Sequence, residues 1–164
     1  MDNYPKILTD RFNTLGFVPE QPWQRRGAVA ISENGKTYRV TVGTGLDTAV
    51  YSIDGGVLKE GYRCDKLLLA LDVEGRHHGG AVFVELKGKD IEHAVDQLES
   101  TIKNKLFKPY PSSNDCVRAR IVTAGCGPKS SSRLKVEEAR IRFKKLYNIE
   151  LKILKNGQPD TPIS

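Results

Sequence analysis

Cysteine is scarce in this sequence of 164 residues. Its three cysteines, Cys64, Cys116 and Cys126, are an odd number and include no CxxC pair. A chain of this length removes roughly two-thirds of its unfolded surface from water when it folds, so it needs neither disulfides nor a structural metal for stability. These observations exclude a small disulfide-rich scaffold, and we expect a protein of the reducing cytoplasm.

Long apolar runs are also missing. The longest uninterrupted run extends from Leu67 to Leu71, far short of the ~20 residues that cross a bilayer. The first residues do not combine a basic stretch with a following apolar one, which is the pattern of a secretory signal. No internal repeat or low-complexity tract divides the chain. We therefore expect one domain with no membrane association.

Positive charge is in excess, but it is unevenly distributed. The net charge is +6; residues 1–102 hold 12 Lys/Arg and 15 Asp/Glu, whereas residues 103–164 hold 14 Lys/Arg and 5 Asp/Glu. The excess therefore lies in the C-terminal part. A basic surface beside an acidic part suits a polyanion held near a cation site, and a solvated basic helix is the alternative explanation.

The first 56 residues are predicted to form a helix and a hairpin. Apolar residues recur on one side of the segment 4–15, which predicts a short helix. Two β-rich stretches lie between residues 28 and 42. Asn34-Gly35 separates them, and this pair favours the positive backbone angles of a tight hairpin turn.

Residues 57–155 are expected to form the core of the single domain, 1–164. The predicted elements are strands at 65–71 and 81–87, a helix at 90–106, a strand at 117–123, a helix at 133–147 and a strand at 149–154. This order predicts an α/β fold with a mixed central β-sheet flanked by helices, extended at its N terminus by the β-hairpin. Residues 156–164 are expected to be a tail, loosely attached after Pro159.

Two carboxylates and a lysine are predicted to meet at one end of the central strands. Glu85 and Lys87 are two residues apart and so share one face of a strand. If strands 65–71 and 81–87 pair around Gly75, residues that face each other have numbers summing to about 150, and Asp65 faces Glu85 with a Cβ separation of ~5 Å. Two such carboxylates repel each other unless a cation lies between them, and their oxygens suit Mg²⁺ or Mn²⁺. A lysine there can orient a metal-bound water and offset charge on a phosphate.

The motif formed by Asp65, nineteen further residues and Glu85-Leu86-Lys87 resembles that of the PD-(D/E)XK nuclease superfamily. The resemblance covers roughly residues 65–154 and implies a restriction-endonuclease-like fold that acts on DNA. It implies that Asp65 and Glu85 bind the divalent metal with the backbone carbonyl of Leu86, and that Lys87 is the catalytic lysine. Gln97 is similar to the glutamine that some members place on the following helix, beside the site.

The sequence departs from the superfamily pattern at two points. Cys64 stands where the motif has its proline. Many members also carry a glutamate on a helix before the first strand, and no residue here matches it clearly. The candidates for this upstream acid are Glu20, Glu33, Asp54 and Glu60.

A Gly/Pro/Ser-rich loop at 125–132 follows a strand and precedes a helix. It lacks the GxxxxGK[ST] order of a nucleotide-binding loop. Lys129, Ser130 and Arg133 at this helix start are candidates to hold a backbone phosphate of DNA. Ser132 as the residue that caps the helix is the alternative.

The histidines do not indicate a zinc site. His77 and His78 fall in a predicted turn, and neither they nor His93 belong to a ligand set of recognisable spacing, so we expect surface histidines.

The sequence as a whole leads to the hypothesis of a Mg²⁺- or Mn²⁺-dependent DNA endonuclease of restriction, phage defence, repair or recombination, acting as a homodimer or with a partner subunit. The alternative is a non-catalytic module that binds nucleic acid or protein and retains the fold. RNA remains open as a substrate.

Overall fold

The computed structural model describes residues 3–76, 78–86, 90–124 and 130–164, and all their side chains except those of Ser130 and Ser131. The elements of the first half are α1 (Tyr4–Leu15), β1 (Gln21–Arg25), β2 (Ala28–Glu33), β3 (Lys36–Thr41), β4 (Asp47–Ser52), β5 (Lys66–Leu71) and β6 (Gly80–Leu86). Those of the second half are α2 (Ile91–Ile102), a 3₁₀ turn (Lys105–Phe107), β7 (Val117–Thr123), α3 (Ser130–Arg142), which continues as a π-helical turn (Phe143–Tyr147), and β8 (Glu150–Lys155).

The strands form a six-stranded mixed sheet and a separate hairpin. The sheet order is β1-β4-β5-β6-β7-β8, in which β1, β4, β5 and β6 are antiparallel neighbours and β6, β7 and β8 are parallel. Helices α2 and α3 connect the parallel strands. Strands β2 and β3 form the hairpin, and both turn residues, Asn34 and Gly35, have positive φ. The predicted α/β class, mixed sheet and N-terminal hairpin are confirmed.

The sheet separates two apolar layers. Alternate residues of β6 point in opposite directions: Ala81 and Phe83 pack with the three helices, whereas Val82 and Val84 pack with the hairpin. Both faces of β6 are thus covered, so Glu85, next to Val84, lies on the helical side. Among the described residues, no helix is long and apolar enough to span a membrane.

Helix boundaries differ from the prediction at two places. Helix α2 ends at Ile102 instead of Leu106, which lies in the 3₁₀ turn. Helix α3 begins at Ser130, so Ser132 is its third residue and not its cap. The sequence did not predict the start of α3 at Ser130, because Ser130 and Ser131 are weak helix formers that are typical of a loop. The helix nevertheless begins at Ser130 in the folded chain.

Residues 156–164 are not a loose tail, and this prediction is wrong. Asp160 and Ile163 are only 5% and 2% exposed. The Asp160 amide donates to the Arg39 carbonyl and the Ile163 amide to the Thr41 carbonyl, so the segment runs along β3 as an additional extended neighbour. These contacts join residues about 120 positions apart, and no local pattern in the sequence reveals them.

A buried ionic network holds this C-terminal segment. The Asp160 carboxylate accepts hydrogen bonds from Tyr38 Oη at 2.7 Å, Arg120 Nε at 2.9 Å and Arg118 Nη1 at 3.3 Å. Arg120 is fully buried and also donates to Glu150 at 2.7 Å. One carboxylate therefore connects the hairpin, β7 and the C-terminal segment.

Two glycines, Gly75 and Gly79, lie in the connection between β5 and β6. Gly75 and Gly79 both have positive φ, but only at Gly79 would a Cβ collide with a backbone atom, the Ala70 carbonyl oxygen. Gly75→Ala is expected to cost about 1–2 kcal/mol of unfolding free energy, and Gly79→Ala about 2–5 kcal/mol because overpacking adds to the strain. Urea denaturation of both variants measures the difference; equal losses would contradict the expectation.

Candidate functional site

The register of β5 and β6 brings the two predicted carboxylates together. Lys66 pairs with Val84, and the four further pairs that the ladder contains keep the same sum of residue numbers. Asp65 and Glu85 occupy the next position of this register. The strand register predicted from the Gly75-centred turn is confirmed for the five pairs of the ladder.

The carboxylate of Asp65 is held by the neighbouring strand. Asp65 is half-buried, and its Oδ2 accepts a hydrogen bond of 2.8 Å from the backbone N–H of Leu86. The Leu86 side chain packs in the layer beneath the hairpin, so its main chain is the part that faces the site. Glu85 is 1% exposed and pairs with Ile121 of β7, which places it in the middle of the sheet. The two acids therefore differ in access to solvent.

Helix α2 holds the segment that leads into Asp65. Asp90 caps the helix by accepting a hydrogen bond from the His93 amide. Gln97 Nε2 donates to the Arg63 carbonyl at 3.1 Å, and Thr101 Oγ1 accepts from the Cys64 amide at 2.9 Å. Gln97 thus contacts the backbone two residues before Asp65, and its predicted role in the site stays a prediction. Its Oε1 is buried and makes no hydrogen bond within the described part of the chain.

Cys64 is a small buried residue, as expected. It is completely buried, and burial raises the pKa of its thiol. The negative charges of Glu85 and Asp65 raise this pKa further, which shows that the thiol lies near both acids. A thiol in this environment stays protonated and is unsuited to act as a nucleophile.

Three of the four candidates for an upstream acid surround the start of β5. Glu20 forms an ion pair of 2.9 Å with the buried Lys66, and Asp54 forms one of 2.8 Å with Arg63. Glu33, at the end of β2, has its pKa raised, first by burial and then by the negative charge of Asp65. The fourth candidate, Glu60, is exposed in the loop before β5.

The described residues provide some, but not all, of the ligands that a divalent cation needs. They contain no group of three or more His, Cys, Asp or Glu side chains placed to hold a metal ion. Asp65, Glu85 and the Leu86 carbonyl offer two carboxylates and one main-chain oxygen. Mg²⁺ keeps several waters when it binds to proteins and often uses one or two carboxylates. The donor set is therefore adequate in kind for Mg²⁺ or Mn²⁺.

Several predicted residues lie outside the described ranges. Lys87 and Lys129 are among them, so the proximity of Lys87 to the two acids stays a prediction. Ser130 begins α3, and its side chain is not described. Arg133 is exposed on α3. The phosphate contact predicted for this loop also stays a prediction.

The remaining histidines show no metal-binding geometry among the described residues. His78 is exposed, as expected of a surface histidine. His93, also expected at the surface, is instead half-buried, and its ring packs nearly perpendicular to the Tyr62 ring at a centroid distance of 5.0 Å. His77 lies outside the described residues.

The positive charge of residues 103–164 divides into two groups. Arg118 and Arg120 are buried in the network around Asp160, and Arg142 binds Glu99 through two hydrogen bonds of 2.8 Å. These arginines are committed to protein contacts. The exposed basic residues among the described residues of this part are Lys103, Lys105, Lys108, Arg133, Lys135, Arg140, Lys144, Lys145, Lys152 and Lys155. The basic residues of this part were expected to contact the phosphates of DNA, and the buried arginines Arg118 and Arg120 are not available for such contacts.

Neither a model of a known protein family, nor a curated protein, nor a solved structure matches this chain. An assignment of function therefore depends on the geometry around Asp65 and Glu85.

Proposed function

We propose that this protein is a divalent-metal-dependent endonuclease that hydrolyses phosphodiester bonds of DNA. The observation that carries the proposal is the register of β5 and β6, which, continued by one residue beyond Lys66 and Val84, sets Asp65 opposite Glu85. The bond from the Leu86 amide holds the Asp65 carboxylate at that position. Acidic oxygens from two adjacent strands form a donor set of the kind that Mg²⁺ and Mn²⁺ prefer.

The order of elements around this pair supports the proposal. The antiparallel strands β4, β5 and β6 are followed by α2 and the parallel strand β7. This arrangement agrees with the restriction-endonuclease-like fold that the resemblance to the PD-(D/E)XK superfamily implies. Gln97 lies on the helix after the Glu85 strand, where some members of the superfamily place a glutamine.

The residues have distinct roles in the proposed reaction. Asp65, Glu85 and the Leu86 carbonyl bind the cation, which supplies Lewis-acid polarisation of the phosphate and a more acidic water. Lys87 orients the attacking water and offsets negative charge on the phosphate. Gln97 acts through the Arg63 carbonyl and positions the segment that leads into Asp65.

Glu33 is the upstream acid that best completes the site. Glu20 and Asp54 already hold ion pairs, and Glu60 is exposed in a loop. Glu33 has no ion-pair partner among the described residues. The charge of Asp65 contributes to its raised pKa, and a cation between the two carboxylates would remove this repulsion.

The proposal is tested with supercoiled plasmid DNA, incubated with the protein and Mg²⁺ or Mn²⁺ and, in parallel, with excess chelator. Wild type is expected to nick or linearise the plasmid only when the metal is present. Asp65→Ala and Lys87→Ala are expected to lose this activity, whereas Asp96→Ala, an exposed acid next to Gln97, should retain it. Wild-type cleavage by both Asp65→Ala and Lys87→Ala would show that the assignment is wrong.

A non-catalytic nucleic-acid-binding module is the second candidate. The absence of a group of three metal-ligating side chains among the described residues favours it. This function predicts salt-dependent DNA binding without metal-dependent cleavage. Calorimetric titration with Mn²⁺ distinguishes the two, because only the nuclease should bind the ion through Asp65 and Glu85.

A further inference from the structure

Helix α3 carries apolar residues on two opposite faces. Val136, Ala139 and Phe143 are buried and pack against the sheet. On the other side, Leu134 and Ile141 are 69% and 67% exposed. A helix that covers a sheet normally turns a polar face to solvent, and clustered exposed apolar side chains mark interaction surfaces.

Charged residues flank these two side chains in a fixed order. Glu137 and Glu138 lie between Leu134 and Ile141, and Lys144 and Lys145 follow Ile141; all four are exposed. Steps of three and four residues place Leu134, Glu137, Glu138 and Ile141 on one side of the helix. Lys144 and Lys145, in the π-helical turn that follows, border the same groove as Ile141. We call these six residues the outer face of α3. A groove of about 560 Å³ opens along it, bordered by Glu137, Ile141, the two lysines, Arg140, and Glu150 and Leu151 of β8.

We propose that the outer face of α3 binds the same face of a second copy of the chain, with the two helices antiparallel about a two-fold axis at Ile141. In this arrangement Glu137 faces the partner's Lys145 and Glu138 faces the partner's Lys144. Ile141 meets the partner's Ile141 at the centre. The acidic half of each helix thus lies against the basic half of the other, as a two-fold interface requires.

Charge disfavours the other arrangements of this face. Parallel helices would set acids against acids and lysines against lysines, which is unfavourable. A DNA backbone laid along the face would meet Glu137 and Glu138, which repel its phosphates, as well as the two lysines, which attract them. The exposed ion pair between Glu137 and Arg140, at 2.8 Å, contributes little and can be exchanged for an intermolecular one.

This surface is separate from the proposed nuclease site, because α3 contributes none of the residues assigned to metal binding or catalysis. A failure of the dimer proposal therefore leaves the cleavage experiment unaffected. Conversely, an inactive protein can still show the two-fold interface.

Sedimentation velocity of the full chain between about 1 and 100 µM tests the association. Wild type is expected to shift from monomer to dimer in this range. The double variants Glu137→Lys/Glu138→Lys and Lys144→Glu/Lys145→Glu should each dimerise on the order of 100-fold more weakly, because like charges then face each other. An equimolar mixture of the two should recover the wild-type dimer. A monomeric wild type, variants that dimerise normally, or a mixture that stays monomeric overturns the proposal.

Cross-linking locates the axis in a protein whose Cys116 and Cys126 are replaced with serine. Ile141→Cys is expected to form a disulfide-linked dimer under mild oxidation. Leu134→Cys, which is equally exposed but lies two turns from the axis, should not. Equal cross-linking at the two positions, or none at Ile141→Cys, contradicts the antiparallel arrangement.

Discussion

Replacing Asp160 with alanine is expected to lower the free energy of unfolding by about 3–5 kcal/mol, because it leaves a buried cation without its counter-ion. Arg120 is fully buried, and Arg118 nearly so; both donate to the Asp160 carboxylate, as does Tyr38. The variant loses the charge and the acceptor together. The free energy of unfolding of most domains is about 5–15 kcal/mol, so a loss of this size is a large part of it.

Urea denaturation followed by circular dichroism measures the effect. Asp10→Ala is the matched control, because Asp10 forms an exposed ion pair with Lys6 and its loss should cost less than about 1 kcal/mol. Asp160→Asn keeps the size and one acceptor and should fall between the two. A loss for Asp160→Ala no greater than that of the control would mean that the buried network does not hold the C-terminal segment.

The same network gives stability a defined dependence on acid. Burial raises the pKa of Asp160, but the hydrogen bond from Tyr38 and the charge of Arg120 outweigh burial, so its pKa lies below the ordinary 3.8. When the pKa of a carboxyl group is lower in the folded state than in the unfolded state, the group contributes its full stabilisation at a pH above its unfolded-state pKa. This contribution is lost as the pH falls through the folded-state pKa. We expect the wild type to lose stability as pH falls below about 4. Asp160→Asn should lose less over that range.

Glu85→Gln is expected to reduce metal-dependent DNA cleavage by about 10³-fold or more, because one of the two carboxylates that bind the cation is lost. The amide has nearly the size of the carboxylate, and Glu85 is only 1% exposed. The substitution therefore removes the charge with little change in packing. Initial rates of plasmid cleavage in Mg²⁺ measure the effect. Glu74→Gln, an exposed acid in the β5–β6 connection, is the matched control and should cleave normally.

Two further measurements separate metal binding from a structural effect of Glu85→Gln. Circular dichroism and the urea midpoint should show a folded protein. Calorimetry with Mn²⁺ should show binding in wild type and in Glu74→Gln, and little or none in Glu85→Gln. A folded, inactive variant that binds Mn²⁺ like wild type would contradict the assignment of Glu85 as a ligand.

Local patterns were sufficient where neighbours in the sequence are neighbours in the fold. Asn34-Gly35 predicted the turn between β2 and β3, and both residues have the positive φ that such a turn requires. The glycine-rich connection around Gly75 predicted the β5–β6 register, whose next position holds Asp65 and Glu85. In each case a short chain segment limits the possible pairings.

Other features depend on contacts between distant segments, which no local sequence pattern predicts. Strand β1 was missed because it contains Pro22, and only its place at the edge of the sheet makes a proline acceptable there. The raised pKa of Glu33, caused first by burial and then by the charge of Asp65, depends on the docking of the β2–β3 hairpin. Neither feature has a local signal.

The sequence by itself determined the α/β class, the hairpin turn and the spacing that aligns Asp65 with Glu85, because turn chemistry and apolar periodicity act over a few residues. Only the tertiary structure decided that residues 156–164 pack along β3 and that part of the C-terminal positive charge is buried around Asp160. It also decided which apolar side chains of α3 are exposed. These outcomes depend on long-range burial, because a side chain's partners and exposure follow from which distant segments the folded chain brings beside it.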